Sequence, residues 1–365
     1  MKKTILSLSL GLAMVGIAGN AAAAGKELNI YNWSDYIAES TIPGFQKATG
    51  VKVRYDVYDS NEILQAKMLT GKSGYDLVHP SNTFLAKQIQ GGLYQPLDRA
   101  KIPNYKNLDP ELMKLMSAFD PGNKYAVPYF WGINTIGINQ DKVNKALGGK
   151  LPDNQWDLLF KPEYLSKLKS CGVSMLDSPA EVFPVVLHYM GKSPASTSEA
   201  DYKAAAALLK PLRSSITRFS SSGYINELAG GSLCVALGYG GDMNIAKTRA
   251  EEAKNGVKIQ PLVPKQGVPI WVDSMVMPKD AKNVDNAYAW INYMLDAKVA
   301  AANANAVSYA PGSLPARQFI NKQNLANPSI FPGKDVVAKS FVMPSMDPKI
   351  QRLTTRLWQE FKTGK

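Results

Sequence analysis

Short apolar runs alternate with amphipathic stretches along much of the chain. Residues 28–30 form a strand run, and the aromatic segment Tyr31-Asn32-Trp33-Ser34-Asp35-Tyr36 follows it. Residues 41–49 carry helical spacing and stop at Gly50, a residue suited to the left-handed position that closes a helix. Residues 51–58 alternate and are rich in β-branched and aromatic side chains, which predicts a strand. A helix over 62–70 ends at Gly71. A strand begins at 77–78, a Pro80-Ser81-Asn82 loop lies at its end, and a helix covers 84–90. Strands alternating with helices predict a parallel sheet with crossovers.

Residues 125–139 read as extended chain interrupted by Pro128, Gly132 and Gly137, a crossing from one lobe to another. Beyond it the pattern predicts helices at 156–160, 162–168, 181–190, 199–212 and 224–229. Strands fall at 172–176 and 233–239, and a helix runs from the Gly240-Gly241-Asp242 turn to residue 255. Residues 259–263 read as the return crossing, 271–277 as strand, and 286–295, 298–305 and 348–361 as helices. The expected architecture is α/β in two lobes, one of 25–132 plus 262–311 and one of 133–261 plus 312–365. A length of 365 residues fits about two domains of ~150 each. No internal repeat of about 20–50 residues is visible, which argues against a solenoid.

The N-terminus reads as a processing segment. Lys2 and Lys3 precede an apolar run over 4–18, and small residues at 19–24 offer Ala-x-Ala cleavage choices. A signal peptide over 1–24, cleaved near Ala24, makes the mature protein an exported one, expected in the periplasm. No other run is long and apolar enough to span a bilayer. The net charge of +12 invites a nucleic-acid reading. The lysines are scattered, however, with no sustained basic run, so no nucleic-acid partner is expected. Two cysteines, Cys171 and Cys234, in an exported chain argue for one disulfide rather than two buried thiols. His79 and His188 form no cluster with metal-ligand spacing, and neither a metal nor a cofactor is expected.

The chemistry concentrates at strand ends. Asp35, Ser81, Asp242 and Asp273 lie at or near the ends of predicted strands, and Glu181 starts a helix. Aromatic residues stand beside them: Trp33, Tyr36, Tyr239, Trp271 and Tyr309. In open α/β sheets ligands gather at the carboxyl ends of strands. Carboxylates accept charge-assisted hydrogen bonds from ammonium groups, and aromatic faces attract cations. The pattern therefore fits a cationic small molecule. Plainer readings stand beside it: Asp35 and Asp242 as helix caps, Glu181 as a partner of a helix dipole, and Trp271 as core.

The segment Asn29-Ile30-Tyr31-Asn32-Trp33-Ser34-Asp35-Tyr36 resembles the start of the periplasmic spermidine/putrescine-binding proteins of ABC importers. So do Asp56-Val57-Tyr58-Asp59-Ser60-Asn61-Glu62, Ser73-Gly74-Tyr75-Asp76-Leu77-Val78, Ala126-Val127-Pro128-Tyr129, Tyr224-Ile225-Asn226 and the segment from Cys234 to Asp242. The likeness covers nearly the whole mature chain and is closest to the putrescine-binding branch. It implies a two-lobed periplasmic binding protein fold of type II kind. Each lobe is a mixed, mainly parallel sheet flanked by helices, and hinge strands join the two. It further implies a monomer that binds without chemistry and docks on an inner-membrane ABC permease. By position, Trp33, Ser34, Asp35, Tyr36, Ser81, Glu181, Ser221, Tyr239, Asp242, Trp271, Asp273 and Tyr309 match the family's ligand-binding residues. Cys171 and Cys234 match its disulfide.

The chain departs from the family at three places. His79 stands where valine is usual, Ser308-Tyr309-Ala310-Pro311-Gly312 replaces Tyr-Ala-Asn-Ala, and Trp271 takes a position that is often Phe in putrescine binders. The larger ring packs against a longer methylene chain, which tilts the expected ligand from putrescine towards spermidine. Three rival readings are a polyamine sensor acting on a membrane receptor, an exported hydrolase, and a binder of a basic amino acid. The hydrolase lacks a recognisable nucleophile motif. The amino-acid binder needs an arginine for its ligand's carboxylate, and none stands at the matched positions.

Overall fold

The computed structural model describes residues 27–364. The signal peptide expected over 1–24 lies outside the described residues. Eleven strands are present among the described residues: β1 Glu27–Trp33, β2 Lys52–Tyr58, β3 Leu77–Val78, β4 Val127–Asn139, β5 Val173–Met175, β6 Arg218–Phe219, β7 Val235–Tyr239, β8 Ile259–Leu262, β9 Pro269–Met275, β10 Ala310–Pro311 and β11 Phe341–Val342.

β4 is the spine of the molecule. Its first half, Val127 to Ile133, pairs antiparallel with β9, and Phe130 and Trp131 also pair with β10. From Asn134 onward it changes partners and lies between β7 and β8. One continuous strand therefore belongs to two sheets. In the first lobe β1 pairs parallel with β2 and β3, and Val78 bridges to Val276 beyond β9, so the order is β2-β1-β3-β9-β4. In the second lobe β7, β5 and β6 run parallel beside the far half of β4. Both sheets are mixed, as an α/β chain with crossing strands requires.

The helices follow the sequence pattern closely. Thr41–Thr49 ends at Gly50, whose φ of 70° needs no Cβ. The helix expected over 199–212 stops earlier, at Leu209, and tightens into a 3₁₀ turn over Lys210–Ser215. Pro211 has no N–H to continue the α-helical ladder there. Residues 259–263, expected as the return crossing, are instead strand β8, paired with the far half of β4. The chain returns over 263–268 before β9 begins.

Each lobe buries its own core. One cluster joins Leu28, Phe45, Phe130 and Trp290, and a smaller one joins Tyr58, Leu64 and Val276 on the first lobe. Trp156, Phe183, Leu237 and Trp358 belong to the second. Ala316 and Ile320, assigned by sequence to the second lobe, sit in the first cluster; Ile350 and Phe361 of the last helix, Pro348–Thr363, sit in the second. Cys171 and Cys234 are disulfide-bonded across 63 residues, which ties the entry of β5 to that of β7. Closing such a loop restricts the unfolded chain by roughly 4 kcal/mol.

Candidate functional site

The cleft between the lobes lies at the carboxyl ends of β1 and β7, where β4 changes partners. It holds a cavity lined by aromatic, hydroxyl and carboxylate side chains of both lobes.

The aromatic walls are held rigidly. The Trp33 indole N–H donates to the His79 carbonyl at 2.8 Å, and the Tyr58 hydroxyl donates to the same oxygen at 2.6 Å. Tyr36 meets Tyr309 edge-on at 5.1 Å, and Trp271 stands edge-on to Tyr309 at 5.3 Å and to Tyr239 at 5.8 Å. Two glycines admit these rings. A Cβ on Gly132 would come within 2.6 Å of the Trp271 ring, and one on Gly241 within 2.3 Å of Tyr309. Tyr309 belongs to the first lobe and Gly241 to the second, so this contact is made across the cleft.

Three buried carboxylates face the same space. Asp242, in the first turn of helix Gly240–Ala253, accepts from the Tyr224 hydroxyl at 2.5 Å and from the Tyr309 hydroxyl at 2.6 Å. Burial raises its pKa to about 6; the two tyrosine hydrogen bonds oppose the rise and Asp35 adds to it. Asp273 in β9 accepts from Ser81 Oγ at 2.5 Å. Asn61 holds that serine, accepting from its N–H and donating to its hydroxyl, each at 3.1 Å. Burial raises Asp273 to about 7, against the Ser81 bond. Glu181, in the first turn of helix Pro179–Tyr189, accepts from Asn134 Nδ2 at 2.7 Å. Burial brings it to about 7; the Asn134 bond lowers it, and the charges of Glu62 and Asp273 raise it.

The acids also act on one another. Asp242 lies towards Asp35, while Asp273 and Glu62 both act on Glu181. Among the described ion pairs none involves Asp242, Asp273 or Glu181, and no lysine or arginine lines the cavity. Isolated buried charge is costly, and no lining side chain carries a positive charge to offset these acids. Among the described residues no cluster suited to a metal ion is found.

Of the twelve residues singled out in the sequence, eleven line the cavity and Asp35 does not. Asp35 takes a φ of 53°, and its carboxylate pairs with Arg249 at 2.5 Å, on the helix of the opposite lobe. Arg249 also donates to Asn226 Oδ1 at 2.8 Å. Asp35 thus bridges the lobes instead of facing the ligand space. The structure adds Asp59 and Ser222 to the lining. Asp59 follows β2 as Asp35 follows β1, and that shared position at a strand end was the available signal. His79 is buried, and burial lowers its pKa to about 3, so the ring is neutral. It packs against Tyr129.

The family model for bacterial extracellular solute-binding proteins matches residues 42–329. The chain belongs to that family. It is 50% identical over its whole length to the putrescine-binding periplasmic protein PotF of Escherichia coli, covering 99% of that protein. It is 47% identical to the putrescine-binding periplasmic protein SpuD of Pseudomonas aeruginosa, covering 98% of it. A solved putative spermidine/putrescine ABC transporter protein from Listeria monocytogenes superposes with a TM-score of 0.82 at 33% identity, over 93% of this chain and 100% of that one. This solute-binding protein sits on the branch that holds PotF and SpuD, and it is a binding protein, not an enzyme. No helix among the described residues is long and apolar enough to cross a membrane.

Proposed function

We propose that this solute-binding protein captures a linear polyamine in the periplasm, spermidine in preference to putrescine, and delivers it to an ABC permease. One observation carries the reading: three buried carboxylates share an aromatic-walled cavity that no lysine or arginine lines. A thin alkyl chain bearing several ammonium groups suits several acids in one aromatic-walled cavity. Each ammonium brings charge-assisted hydrogen bonds to an acid, and the rings pack on the methylenes between. A basic amino acid fits worse, because no lining residue answers its carboxylate.

Trp271 supports the longer amine, since its ring extends the apolar wall between Tyr239 and Tyr309. The naming of PotF and SpuD for putrescine favours the diamine as the second reading. We assign the twelve residues as the binding set, with Asp35 acting across the cleft. The lobes divide at β4, which with the return over 263–268 is the hinge, and the protein works as a monomer.

Isothermal titration with spermidine, putrescine, cadaverine and lysine tests the proposal. It expects micromolar or tighter binding of the first two, spermidine tighter, and none of lysine. Equal indifference to all four would refute it.

A further inference from the structure

His79 is the first residue past β3, which pairs parallel with β1 through Val78 and Tyr31. That register sets it beside the 31–36 segment, which supplies Trp33, Ser34 and Tyr36 to the cavity wall. Three ties run from His79 to this segment. Its ring Nδ1 lies 3.2 Å from the Tyr31 carbonyl oxygen. A carbonyl only accepts, so the neutral ring carries its proton on Nδ1, and Nε2, which has no partner, is unprotonated. The His79 carbonyl in turn accepts from the Trp33 indole N–H at 2.8 Å. Lastly, the ring packs against Tyr129 at 5.0 Å. Tyr129 donates its hydroxyl to the Tyr36 carbonyl at 2.8 Å and stands edge-on to the Tyr36 ring at 5.4 Å. His79 is buried, so water does not compete for these ties. The segment needs holding. Asp35 within it takes a φ of 53°, a conformation that a residue with a side chain keeps only where its surroundings fix it.

We propose that His79 is a positioning residue of the cavity: its ring and its carbonyl brace the 31–36 segment and so hold Trp33 and Tyr36 against the ligand space. This rests on the polyamine reading above and deepens it. Two of the rings that pack on the amine's methylenes are then held by a residue that does not itself line the cavity. The brace has separable parts. The tie to Trp33 uses the backbone carbonyl and stays available in any variant at position 79. The Tyr31 bond and the Tyr129 contact belong to the side chain and can be removed one at a time. A loosened segment has to be ordered when ligand binds, and that ordering weakens affinity.

The test compares the mature protein with its His79→Asn, His79→Phe and His79→Val variants. Asparagine keeps a donor for the Tyr31 carbonyl without the ring, phenylalanine keeps the ring without the donor, and valine has neither. Two readouts are taken: calorimetric titration with spermidine and with putrescine, and the indole N–H resonance of Trp33, assigned by its disappearance in Trp33→Phe. In H79V the affinity for both amines is expected to fall about tenfold, with a less favourable binding entropy. The Trp33 resonance is expected to broaden in the ligand-free variant and to sharpen on binding. H79N and H79F should fall between H79V and the wild type, and they carry the test if H79V does not fold. Unchanged affinity in the folded variants would overturn the bracing role and leave polyamine binding intact. So would a loss that follows only the ligand-free thermal midpoint while the Trp33 resonance is unaltered. A wild-type protein that takes up neither amine would overturn the functional reading instead, and the resonance in the ligand-free variants would still decide whether His79 holds Trp33.

Discussion

The two ends of the cavity solve the same electrostatic problem differently. At one end both oxygens of Asp242 already hold a tyrosine hydroxyl, from Tyr224 of its own lobe and from Tyr309 across the cleft. At the other, Glu181 has a single amide donor, and one oxygen of Glu62 has none. The first end has its acid hydrogen-bonded on both oxygens, once within its own lobe and once across the cleft. The second is left short of donors. On the proposed reading, the first end would set how tightly any amine is gripped and the second which amine is preferred.

Removing charge at the organised end should have the largest effect. Asp242→Asn keeps the shape but loses the ion pair, and affinity for every polyamine should drop by about 100-fold or more, with the thermal midpoint of the ligand-free protein preserved. A titration showing unchanged affinity would break the comparison at its stronger end.

Next in size is the response to pH. Asp242 is raised to about 6 and Asp273 and Glu181 to about 7, so the empty site is partly protonated near neutrality. An arriving ammonium favours the ionised acids. Binding should release protons between about pH 6 and 7, seen as a buffer-dependent heat, and affinity should fall below pH 6. The sign for folding is opposite. Acids with a raised folded pKa stabilise the protein at low pH, and that contribution is lost as the pH climbs from about 4 through about 7. The midpoint gain from spermidine should therefore be larger at pH 8 than at pH 5.5.

Trp271→Phe comes third. It shrinks the wall beside the chain and should lower the spermidine-to-putrescine ratio by about two- to fivefold with little change in stability. Parallel titrations with the two amines read that ratio directly; an unmoved ratio would remove the tryptophan from the selectivity argument. Smallest is Arg249→Ala. The Asp35–Arg249 bridge is about one-third exposed on each side, so its loss should weaken binding no more than about fivefold. A larger loss would show that the bridge carries closure itself.

Much of this was legible before any coordinates. Strand-end acids beside aromatics picked out residues that line one cavity, and alternation announced the α/β sheets. The exported context foretold the bond between Cys171 and Cys234. What stayed hidden depended on backbone direction. Asp35 has the right neighbours, yet a positive φ turns its carboxylate to Arg249, 214 positions along the chain. Asp59 sits in a Tyr-Asp-Ser-Asn run that reads as a turn before a helix, and only the approach of Ser222 from the other lobe puts it on the cavity wall. Residues 259–263 look like a crossing because an edge strand and a hinge share the same short apolar pattern.

The central claim is that uncompensated acids in this slot demand a polyvalent amine, and direct titration of the ligand-free protein with spermidine at pH 7.5 tests it. The account predicts one site per chain, a dissociation constant of about a micromolar or lower, and, at pH 6.5, a binding heat that changes with the buffer's ionisation enthalpy as proton release requires. A flat titration with spermidine and putrescine alike, from a protein that is folded and monomeric, would contradict it.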